Sequence, residues 1–244
     1  MSPRAKPADA RPALMSAREP IRHVLLIHGA GGGAWEWNRW CEVLRARGFD
    51  AHAPDLQATD AGLAATGFDD YAAQVRAAFV RLPRPRALIG ASLGGLLALP
   101  CADAADALVL INPLPPAPWA ARLPAREWPP IVPWRREARL ASTRRALADA
   151  DEAAALYAYR RWRDESGAVL RAAQDGIAAV APSCASMLVA SAQDEDVPPE
   201  LTAEWAAAWG ADCLRAPSPS HVGPLLGRGA AELAGRVADW LSAR

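Results

Sequence analysis

The feature that most constrains the fold is a glycine–serine–glycine turn between an apolar run and a helical pattern. Leu88 and Ile89 end the apolar run, and the turn reads Gly-x-Ser-x-Gly at Gly90, Ser92 and Gly94. A strand that enters a helix through so abrupt a turn holds the serine in a strained, positive-φ conformation. Its hydroxyl then stands at the end of a sheet. The pattern predicts a buried strand, an accessible serine and a helix in succession.

Strand-like and helix-like segments alternate on both sides of this turn. The predicted strands cover 23–27, 49–53, the run that leads into Ser92, 106–111, 185–190 and 212–216. The predicted helices of the alternation cover 35–47, 69 or 70 to 82, 199–209 and 230–241. Repeated alternation of this kind indicates a parallel sheet with helices on both faces. The predicted fold class is therefore α/β, with a mostly parallel, doubly wound sheet.

The stretch between the fourth and fifth predicted strands has a different character. Prolines are frequent from 113 to 133 and apolar periodicity is absent, which indicates an ordered excursion. Helical patterns follow at 135–148, 151–163 and 167–177. Asp149 or Asp151 is the expected N-cap of the second helix, and Ser166 that of the third. We expect a small helical cap over 113–182, inserted into a core formed by 21–112 and 183–244.

Composition excludes several classes of protein. The chain has 244 residues, 52% of them hydrophobic, and a formal net charge of zero. It is long enough to bury the core of one large domain, and it lacks the basic blocks of a nucleic-acid-binding protein. No apolar run approaches the roughly 20 residues of a membrane span. We expect a disordered tail over 1–20, a cytoplasmic location, and no nucleic-acid or membrane partner; nothing indicates an oligomeric state.

Lysine and cysteine usage restrict the chemistry further. Lys6 is the only lysine and lies in the predicted tail, so a reaction that requires a lysine in the core is excluded. The cysteines, Cys41, Cys101, Cys184 and Cys213, have no paired spacing and are expected to be reduced and mostly buried. The sequence therefore predicts neither a metal nor a cofactor.

The glycine-rich stretch after the first strand has two interpretations. It could hold a dinucleotide, with Asp55 as the acidic residue at the end of the second strand. However, the spacing of Gly29, Gly31 and Gly33 is one residue short of the dinucleotide pattern. The favoured interpretation is a loop whose backbone N–H groups face a developing oxyanion.

Ser92 has one candidate base and one candidate acid late in the chain. A serine hydroxyl is a poor nucleophile until a base accepts its proton, and a carboxylate usually orients that base. His221 lies in a loop after the last predicted strand, and Asp194 follows the strand before it. Asp196 and Glu195 are alternatives to Asp194. The sequence thus offers a serine, an acid and a histidine in that chain order.

The other candidate polar residues have simpler interpretations. His23 and His52 occupy strand positions and are expected to be packing or edge residues. His28 precedes the glycine-rich stretch and is expected to shape it through hydrogen bonds. Asn112 follows the fourth strand and offers no carboxylate, so the acid is not expected there.

Taken together, these features resemble the α/β-hydrolase superfamily. The resemblance runs from about residue 23 to the C-terminus and is strongest at 28–31, 90–95, 194–198 and His221. It implies the α/β-hydrolase fold, here without the first two of its usual eight strands, with a helical cap between the fourth strand and the strand before Asp194. It also implies that Ser92 is the nucleophile, His221 the general base and acid, and Asp194 the carboxylate that orients His221.

By the same resemblance, the backbone N–H groups of Ala30 and Leu93 form the oxyanion hole.

Residues 28–30 with 34–35 are also similar to plant methylesterases and hydroxynitrile lyases. The lyases use a lysine that is absent here, which favours an esterase. Dehalogenases and epoxide hydrolases have an aspartate where this chain has Ser92, whereas cofactor-free haloperoxidases share the triad. Ala91 departs from the Gly-His-Ser form of the turn, which weakens assignment to a subfamily.

The expected function is a serine hydrolase that cleaves a carboxylic ester or thioester of a small to medium apolar substrate through an acyl-enzyme. Alternatives are a C–C bond hydrolase or acyltransferase on the same triad, and a non-catalytic ligand-binding protein of the same fold. The candidate pocket residues are Gly31, Trp119, Trp128, Trp134, Tyr157, Trp162 and Val222. Any one of the aromatic residues could instead pack the cap onto the body.

Overall fold

The computed structural model describes residues 19–244, and its centre is a sheet of six parallel strands. The strands of the described residues are β1 (His23–Ile27), β2 (Asp50–His52), β3 (Arg86–Ala91), β4 (Ala107–Ile111), β5 (Ile131–Val132), β6 (Glu165–Ser166), β7 (Ala185–Ser191) and β8 (Asp212–Ala216). The order in the six-stranded sheet is β2-β1-β3-β4-β7-β8. Strands β5 and β6 form a separate antiparallel pair. The prediction of a mostly parallel α/β sheet is confirmed, and the predicted tail lies outside the described residues except for 19–20.

Helices cover both faces of the six-stranded sheet. They are α1 (Asn38–Ala46), α2 (Phe68–Val80), α3 (Leu93–Ala98), α4 (Leu140–Ala146), α5 (Glu152–Tyr159), α6 (Gly167–Asp175), α7 (Pro199–Trp209), α8 (Gly223–Leu226) and α9 (Ala230–Ser242). Short 3-10 turns lie at Ala34–Trp37, Leu63–Ala65, Leu99–Ala104 and Trp119–Arg122. Among the described residues, no helix is both long enough and apolar enough to span a membrane.

The central strands β1, β3 and β4 are almost entirely buried and mainly apolar, because alternate side chains enter two different layers of the core. Val24 and Leu26 of β1 pack in the layer that contains α1 and α9. Leu25 and Ile27 pack in the opposite layer, with residues of α2, α3 and α7. Both layers extend into the segment between β4 and β7. Leu147 and Ala158 belong to the first layer, and Val169 and Ala173 belong to the second.

Several predicted elements differ from the observed ones at their ends. The predicted helix at 35–47 begins as a 3-10 turn, and α1 ends before Gly48, which has a φ of 85°. The predicted helix at 135–148 is reduced to α4 because Arg139 is extended, with φ −127° and ψ 131°. The predicted N-caps are confirmed: Asp151 accepts from the Ala154 N–H, and Ser166 accepts from the Val169 N–H.

The inserted segment, residues 113–182, is less purely helical than the sequence indicates. It contains the β5–β6 pair as well as α4, α5 and α6. Ile131 pairs with Ser166, and Val132 pairs with Glu165. Strands of two residues carry no periodic signal, so this pair could not be seen in the sequence pattern. It is structurally important because it fixes the position of Glu165 next to the body.

Candidate active site

Ser92 occupies the turn between β3 and α3. Its φ of 52° and ψ of −121° place a non-glycine residue in a strained region of backbone conformation, as the sequence predicts. A side chain at Gly90 would collide with the Gly94 carbonyl group, and one at Gly94 would collide with the Ile27 carbonyl group. The two glycines therefore allow β3 to enter α3 directly and to present the serine at the carboxyl edge of the sheet.

The structure brings Ser92, His221 and Asp194 into one hydrogen-bonded row. His221 Nε2 lies 2.8 Å from Ser92 Oγ, and His221 Nδ1 lies 2.7 Å from Asp194 Oδ2. Because the carboxylate can only accept, Nδ1 carries the imidazole proton and Nε2 is left to accept the proton of the serine. This arrangement suits a serine that is deprotonated as it attacks.

Asp194 is the carboxylate that contacts His221, rather than Asp196 or Glu195. Its side chain has no exposed surface, and its Oδ1 accepts the N–H groups of Asp196 and Val197 at 2.9 and 3.0 Å. Burial by itself lowers the pKa of His221, but the charge of Asp194 and its hydrogen bond outweigh burial and raise that pKa above its ordinary value. The imidazolium form of His221 is therefore stabilised at this position.

Asn112 supports the same histidine from the end of β4. Its Nδ2 donates to the backbone carbonyl of His221 at 2.7 Å and to Ser191 Oγ at 2.8 Å. Its Oδ1 accepts the Ser191 N–H at 2.7 Å, and its own φ is 42°. From the sequence, Asn112 was noted only as a position that offers no carboxylate, and this supporting role was missed. Its place directly after a parallel strand was the available signal.

The glycine-rich loop (residues 28–34) lies directly against the serine. A Cβ atom at Gly29 would be 3.1 Å from Ser92 Cβ and 3.7 Å from Ser92 Oγ. Within residues 19–244, the N–H groups of Ala30 and Leu93 donate to no protein acceptor. Leu93 is the first residue of α3, where a backbone N–H has no acceptor inside the helix. Two unused donors thus flank the candidate nucleophile.

Three other N–H groups of this loop already donate to acidic side chains. Gly31 donates to Glu165 Oε2 at 2.9 Å, Gly33 to Glu36 Oε2 at 3.3 Å and Ala34 to Asp55 Oδ1 at 2.7 Å. Acidic side chains at these positions disfavour a pyrophosphate, so the donor set does not suit the dinucleotide interpretation. Asp55, the acidic residue of that interpretation, instead accepts the N–H of Ala34 in this loop.

His28 shapes the loop as predicted. It is buried, its Nδ1 donates to the Gly29 carbonyl group at 2.8 Å, and its Nε2 accepts the Leu56 N–H at 3.0 Å. Burial is the main reason that the pKa of His28 is lowered to about 4. His28 is therefore neutral near pH 7 and keeps one donor and one acceptor.

The aromatic residues proposed for the pocket lie in three places. The exposed ring of Trp134 covers Gly31, and Trp128 meets it edge to face with ring centroids 6.2 Å apart. Tyr157 and Trp162 contact Trp35, which follows the glycine-rich loop, at centroid distances of 5.7 and 5.3 Å.

Trp119 lies elsewhere and packs on α7. Its ring centroid is 6.0 Å from that of Trp205 and 6.1 Å from that of Trp209. Val222, next to His221, is partly buried against the core. Of the proposed pocket residues, Gly31 and Trp134 are thus beside the loop, whereas Trp119 joins the inserted segment to the body.

Two groups of side chains among the described residues have the composition of metal ligands. His23, Asp50 and His52 form one, with ligand atoms within 4.8 Å of one another, and Asp194, Asp196 and His221 form the other. The first group is at the beginning of β1 and β2, at the opposite end of the sheet from Ser92. Of the free cysteines, Cys41 and Cys101 are buried and Cys213 is exposed.

Several solved structures of known proteins are similar to this one. No curated protein matches the sequence. A pyrethroid hydrolase from Sphingobium faniae JZ-2 is similar in structure, with 20% identity, a TM-score of 0.70, and coverage of 91% of this chain and 98% of that one. Tomato methylketone synthase I in complex with 2-tridecanone has 16% identity, a TM-score of 0.70 and coverage of 90% and 98%. A methylesterase protein from Arabidopsis has 15% identity, a TM-score of 0.68 and coverage of 90% and 99%.

Sequence comparison with family models identifies one match. The model described as the alpha/beta hydrolase family matches residues 24–236, which run from β1 into α9. At the identities given above, the similar structures show the fold that this family shares. Because the matched segment includes nearly the whole sheet and the inserted segment, the protein belongs to the alpha/beta hydrolase family.

Proposed function

We propose that the protein is a serine hydrolase that cleaves a carboxylic ester or thioester of a small to medium apolar substrate. The observation that carries this proposal is the hydrogen-bonded row from Asp194 through His221 to Ser92, at 2.7 and 2.8 Å. Residues that are distant in the chain rarely meet in this order unless the serine is to be made reactive.

The reaction begins when Ser92 Oγ attacks the acyl carbon and His221 Nε2 accepts the serine proton. The carbonyl oxygen becomes negatively charged and receives hydrogen bonds from the N–H groups of Ala30 and Leu93. His221 then donates the proton to the leaving alcohol or thiol, which leaves an acyl group on Ser92. Water, deprotonated by His221, attacks this acyl-enzyme, and collapse of the second tetrahedral intermediate releases the acid and restores the serine.

The two backbone donors are expected to matter nearly as much as the side chains of the triad. Removal of one oxyanion donor typically lowers the rate by about 10²–10³. Here both donors are fixed before substrate binds, one by the start of α3 and the other by the glycine-rich loop. Asp194 keeps His221 in the tautomer that accepts from Ser92, and it stabilises the imidazolium that forms during attack.

The substrate class is inferred from the side chains around the loop. Trp134 lies beside Gly31 with Trp128 packed against it, and Tyr157 and Trp162 lie beside Trp35. Aromatic surfaces of this kind suit an apolar acyl or alcohol group. We propose the inserted segment as the cap that supplies these aromatic side chains. Of the other candidate pocket residues, Trp119 packs on α7, and Val222 lies next to His221, outside the inserted segment. The similar structures include one in complex with 2-tridecanone, a long apolar ketone, which supports an apolar ligand for this fold.

A fluorophosphonate probe tests the proposal directly. The purified wild-type protein should react with it at Ser92, and Ser92→Ala should not react. Ser242→Ala, which alters a serine on α9, should react like the wild type. A series of p-nitrophenyl esters of increasing acyl length should then show turnover with a preference for apolar chains.

The outcomes separate the alternatives. A wild-type protein that is not labelled, or that is labelled as strongly as Ser92→Ala, would indicate a non-catalytic binding protein. A labelled protein that hydrolyses no ester or thioester, or that forms only transfer products when an alcohol is added, would indicate C–C bond hydrolysis or acyl transfer.

A further inference from the structure

The glycine-rich loop is held by hydrogen bonds from its own body and also from the inserted segment. The body holds the peptide between Gly29 and Ala30, since the Gly29 carbonyl group accepts from His28 Nδ1 at 2.8 Å and from the Gly32 N–H at 3.2 Å. The C=O and N–H groups of a trans peptide point in opposite directions. The Ala30 N–H, the proposed oxyanion donor, therefore points away from those two contacts.

The inserted segment holds the next residue of the loop, Gly31, on both of its polar groups. The Gly31 N–H donates to Glu165 Oε2 at 2.9 Å, and the Gly31 carbonyl group accepts the Arg163 N–H at 2.8 Å. Arg163 Nε donates to the Gly32 carbonyl group at 2.6 Å. Gly31 has a φ of 67°, and a Cβ atom there would lie 2.5 Å from the ring of Trp134.

Burial and further hydrogen bonds hold the Glu165 carboxylate in place beside Gly31. Glu165 is 3% exposed, and its Oε1 accepts the Tyr71 hydroxyl at 3.0 Å and the Ser166 N–H at 2.7 Å. A buried carboxylate is tolerated only where hydrogen bonds replace its water. Three donors do so here, and one of them is the loop itself. Without Gly31, Glu165 would lose a partner, and without Glu165, the Gly31 N–H would be left without an acceptor.

Arg163 reaches further into the same region. Besides its bonds to the loop, its guanidinium donates to the Leu56 carbonyl group at 3.1 Å and lies 3.2 Å from His28 Nε2. The His28 ring is the group that holds the Gly29–Ala30 peptide. Arg163 is therefore connected to the proposed oxyanion donor through the loop on one side and through His28 on the other.

We propose that Arg163 and Glu165 are positioning residues for the oxyanion hole, so that the reactivity of Ser92 depends on the docking of the inserted segment. This inference rests on the proposed function. Neither side chain is required to touch the reacting atoms. Each fixes the direction of loop peptides, and the loss of either should weaken stabilisation of the developing oxyanion more than it weakens substrate binding.

The test uses Glu165→Gln and Arg163→Lys in the full chain. In Glu165→Gln, an amide NH₂ group replaces one oxygen, so either Gly31 or the Tyr71 and Ser166 donors lose an acceptor. We expect kcat to fall by about 10- to 100-fold with KM little changed, which is less than the loss of a whole donor. Arg163→Lys keeps the charge and the backbone bond to Gly31, so the fall should be smaller. It also provides a test if Glu165→Gln does not fold.

The decisive measurement compares an ester with its thionoester, in which the charge develops on sulfur, a weaker hydrogen-bond acceptor. The wild-type preference for the ester reports on the oxyanion hole, and it should shrink in both variants by about the factor lost in kcat. Arg122→Met is the matched control, because it removes an exposed contact between the inserted segment and Glu204 of α7, outside the glycine-rich loop. Its preference should equal that of the wild type.

Two results would overturn the inference. If kcat falls in Glu165→Gln and Arg163→Lys while the preference for the ester stays constant, the two residues are merely structural. If both variants keep the wild-type kcat, the loop does not need them. Failure of the proposed function looks different: the wild-type protein would then neither react with fluorophosphonate nor hydrolyse any ester, and both ideas would fall together.

Discussion

Single side chains near Ser92 owe their charge states to burial and to one or two partners each. His221 combines a raised pKa with a contact to the serine, because Asp194 outweighs the effect of burial. For Glu36, which precedes α1, burial rather than a charged partner determines the direction of the pKa shift. It is buried against the glycine-rich loop, and burial is the main reason that its pKa is raised to about 8. Burial therefore keeps Glu36 mostly protonated near pH 7, beside the glycine-rich loop.

The pH dependence of the reaction should report the contact between Asp194 and His221. Because His221 must be neutral to accept a proton, kcat/KM of the wild type should rise with pH through a midpoint above the ordinary histidine value of 6.5. In Asp194→Asn the charge is lost and burial prevails, so the midpoint should move to lower pH. The same substitution typically lowers kcat by about 10⁴ in triads of this kind. A pH–rate profile measures both effects.

Asp196→Asn is the control for this prediction. Asp196 is exposed and raises the pKa of His221 only through its more distant charge. We expect a small shift of the midpoint in the same direction and nearly full activity. Equal losses in Asp196→Asn and Asp194→Asn would contradict the assignment of Asp194 as the partner of His221.

Glu36 should make stability depend on pH. Between its ordinary pKa of 4.5 and about 8, the folded protein keeps the proton of Glu36 whereas the unfolded chain releases it. The contribution of Glu36 to the free energy of unfolding should therefore fall as pH rises, by about 1.4 kcal/mol per unit of pKa difference. Urea unfolding of wild type and Glu36→Gln at pH 5 and pH 8 measures this. A difference between the two proteins that is the same at both pH values would refute it.

At the scale of elements, the inserted segment shares both core layers with the body, and two of its other contacts with the body involve tryptophan rings. One of these contacts surrounds the glycine-rich loop and includes Trp134, Arg163 and Glu165. The other joins the turn that begins at Trp119 to α7, where the Trp119 ring lies tilted against Trp205 and edge to face with Trp209. The first contact is near Ser92, the proposed nucleophile, whereas the second is a packing interface. Substitutions at the glycine-rich loop contact should therefore change substrate preference, whereas substitutions at the Trp119 contact should change stability.

Trp134→Ala and Trp119→Ala form a matched pair for this distinction. Removal of the Trp134 ring opens space beside Gly31, so the preferred acyl length of p-nitrophenyl esters should increase. Trp119→Ala should keep the wild-type chain-length profile and lower the free energy of unfolding by about 1–3 kcal/mol through lost packing. The ester series and a urea titration measure the two effects. An unchanged profile in Trp134→Ala would remove that residue from the pocket.

At the scale of the whole molecule, the sequence predicts what local patterns encode. The apolar runs give six strands, and the Gly90–Ser92–Gly94 turn gives the strained serine, because each signal lies within a few neighbouring residues. The meeting of Ser92 with His221 follows from parallel topology, since the carboxyl ends of parallel strands share one edge.

Other parts of the site have no local signal. Glu165 and Gly31 are 134 residues apart, and the partner of Glu165 is a backbone N–H group that every residue but proline possesses. Arg163 resembles the other arginines of an arginine-rich chain until folding brings it to Gly32. Asn112 holds a backbone carbonyl group, which side-chain patterns cannot indicate. The sequence therefore indicates the side chains that meet at Ser92, but it does not indicate the residues that position the backbone around them.

The inserted segment should unfold together with the body. Leu147 and Ala158 are part of one core layer and Val169 and Ala173 part of the other, so the segment has no separate core that would melt by itself. Denaturant titrations followed by tryptophan fluorescence and by far-ultraviolet circular dichroism should give one coincident transition. Two transitions would show that 113–182 is an independent folding unit.

The bonds from Arg163 and Glu165 to the glycine-rich loop have a consequence for the evolution and the engineering of this enzyme. A cap is a natural place to exchange one substrate range for another, because it is a single stretch of chain between two strands of an otherwise constant scaffold. In this protein a transplanted cap would also have to bring a guanidinium and a carboxylate to the same loop. If Arg163 and Glu165 position the oxyanion hole as proposed, exchange of that stretch alone should change selectivity and turnover rate together.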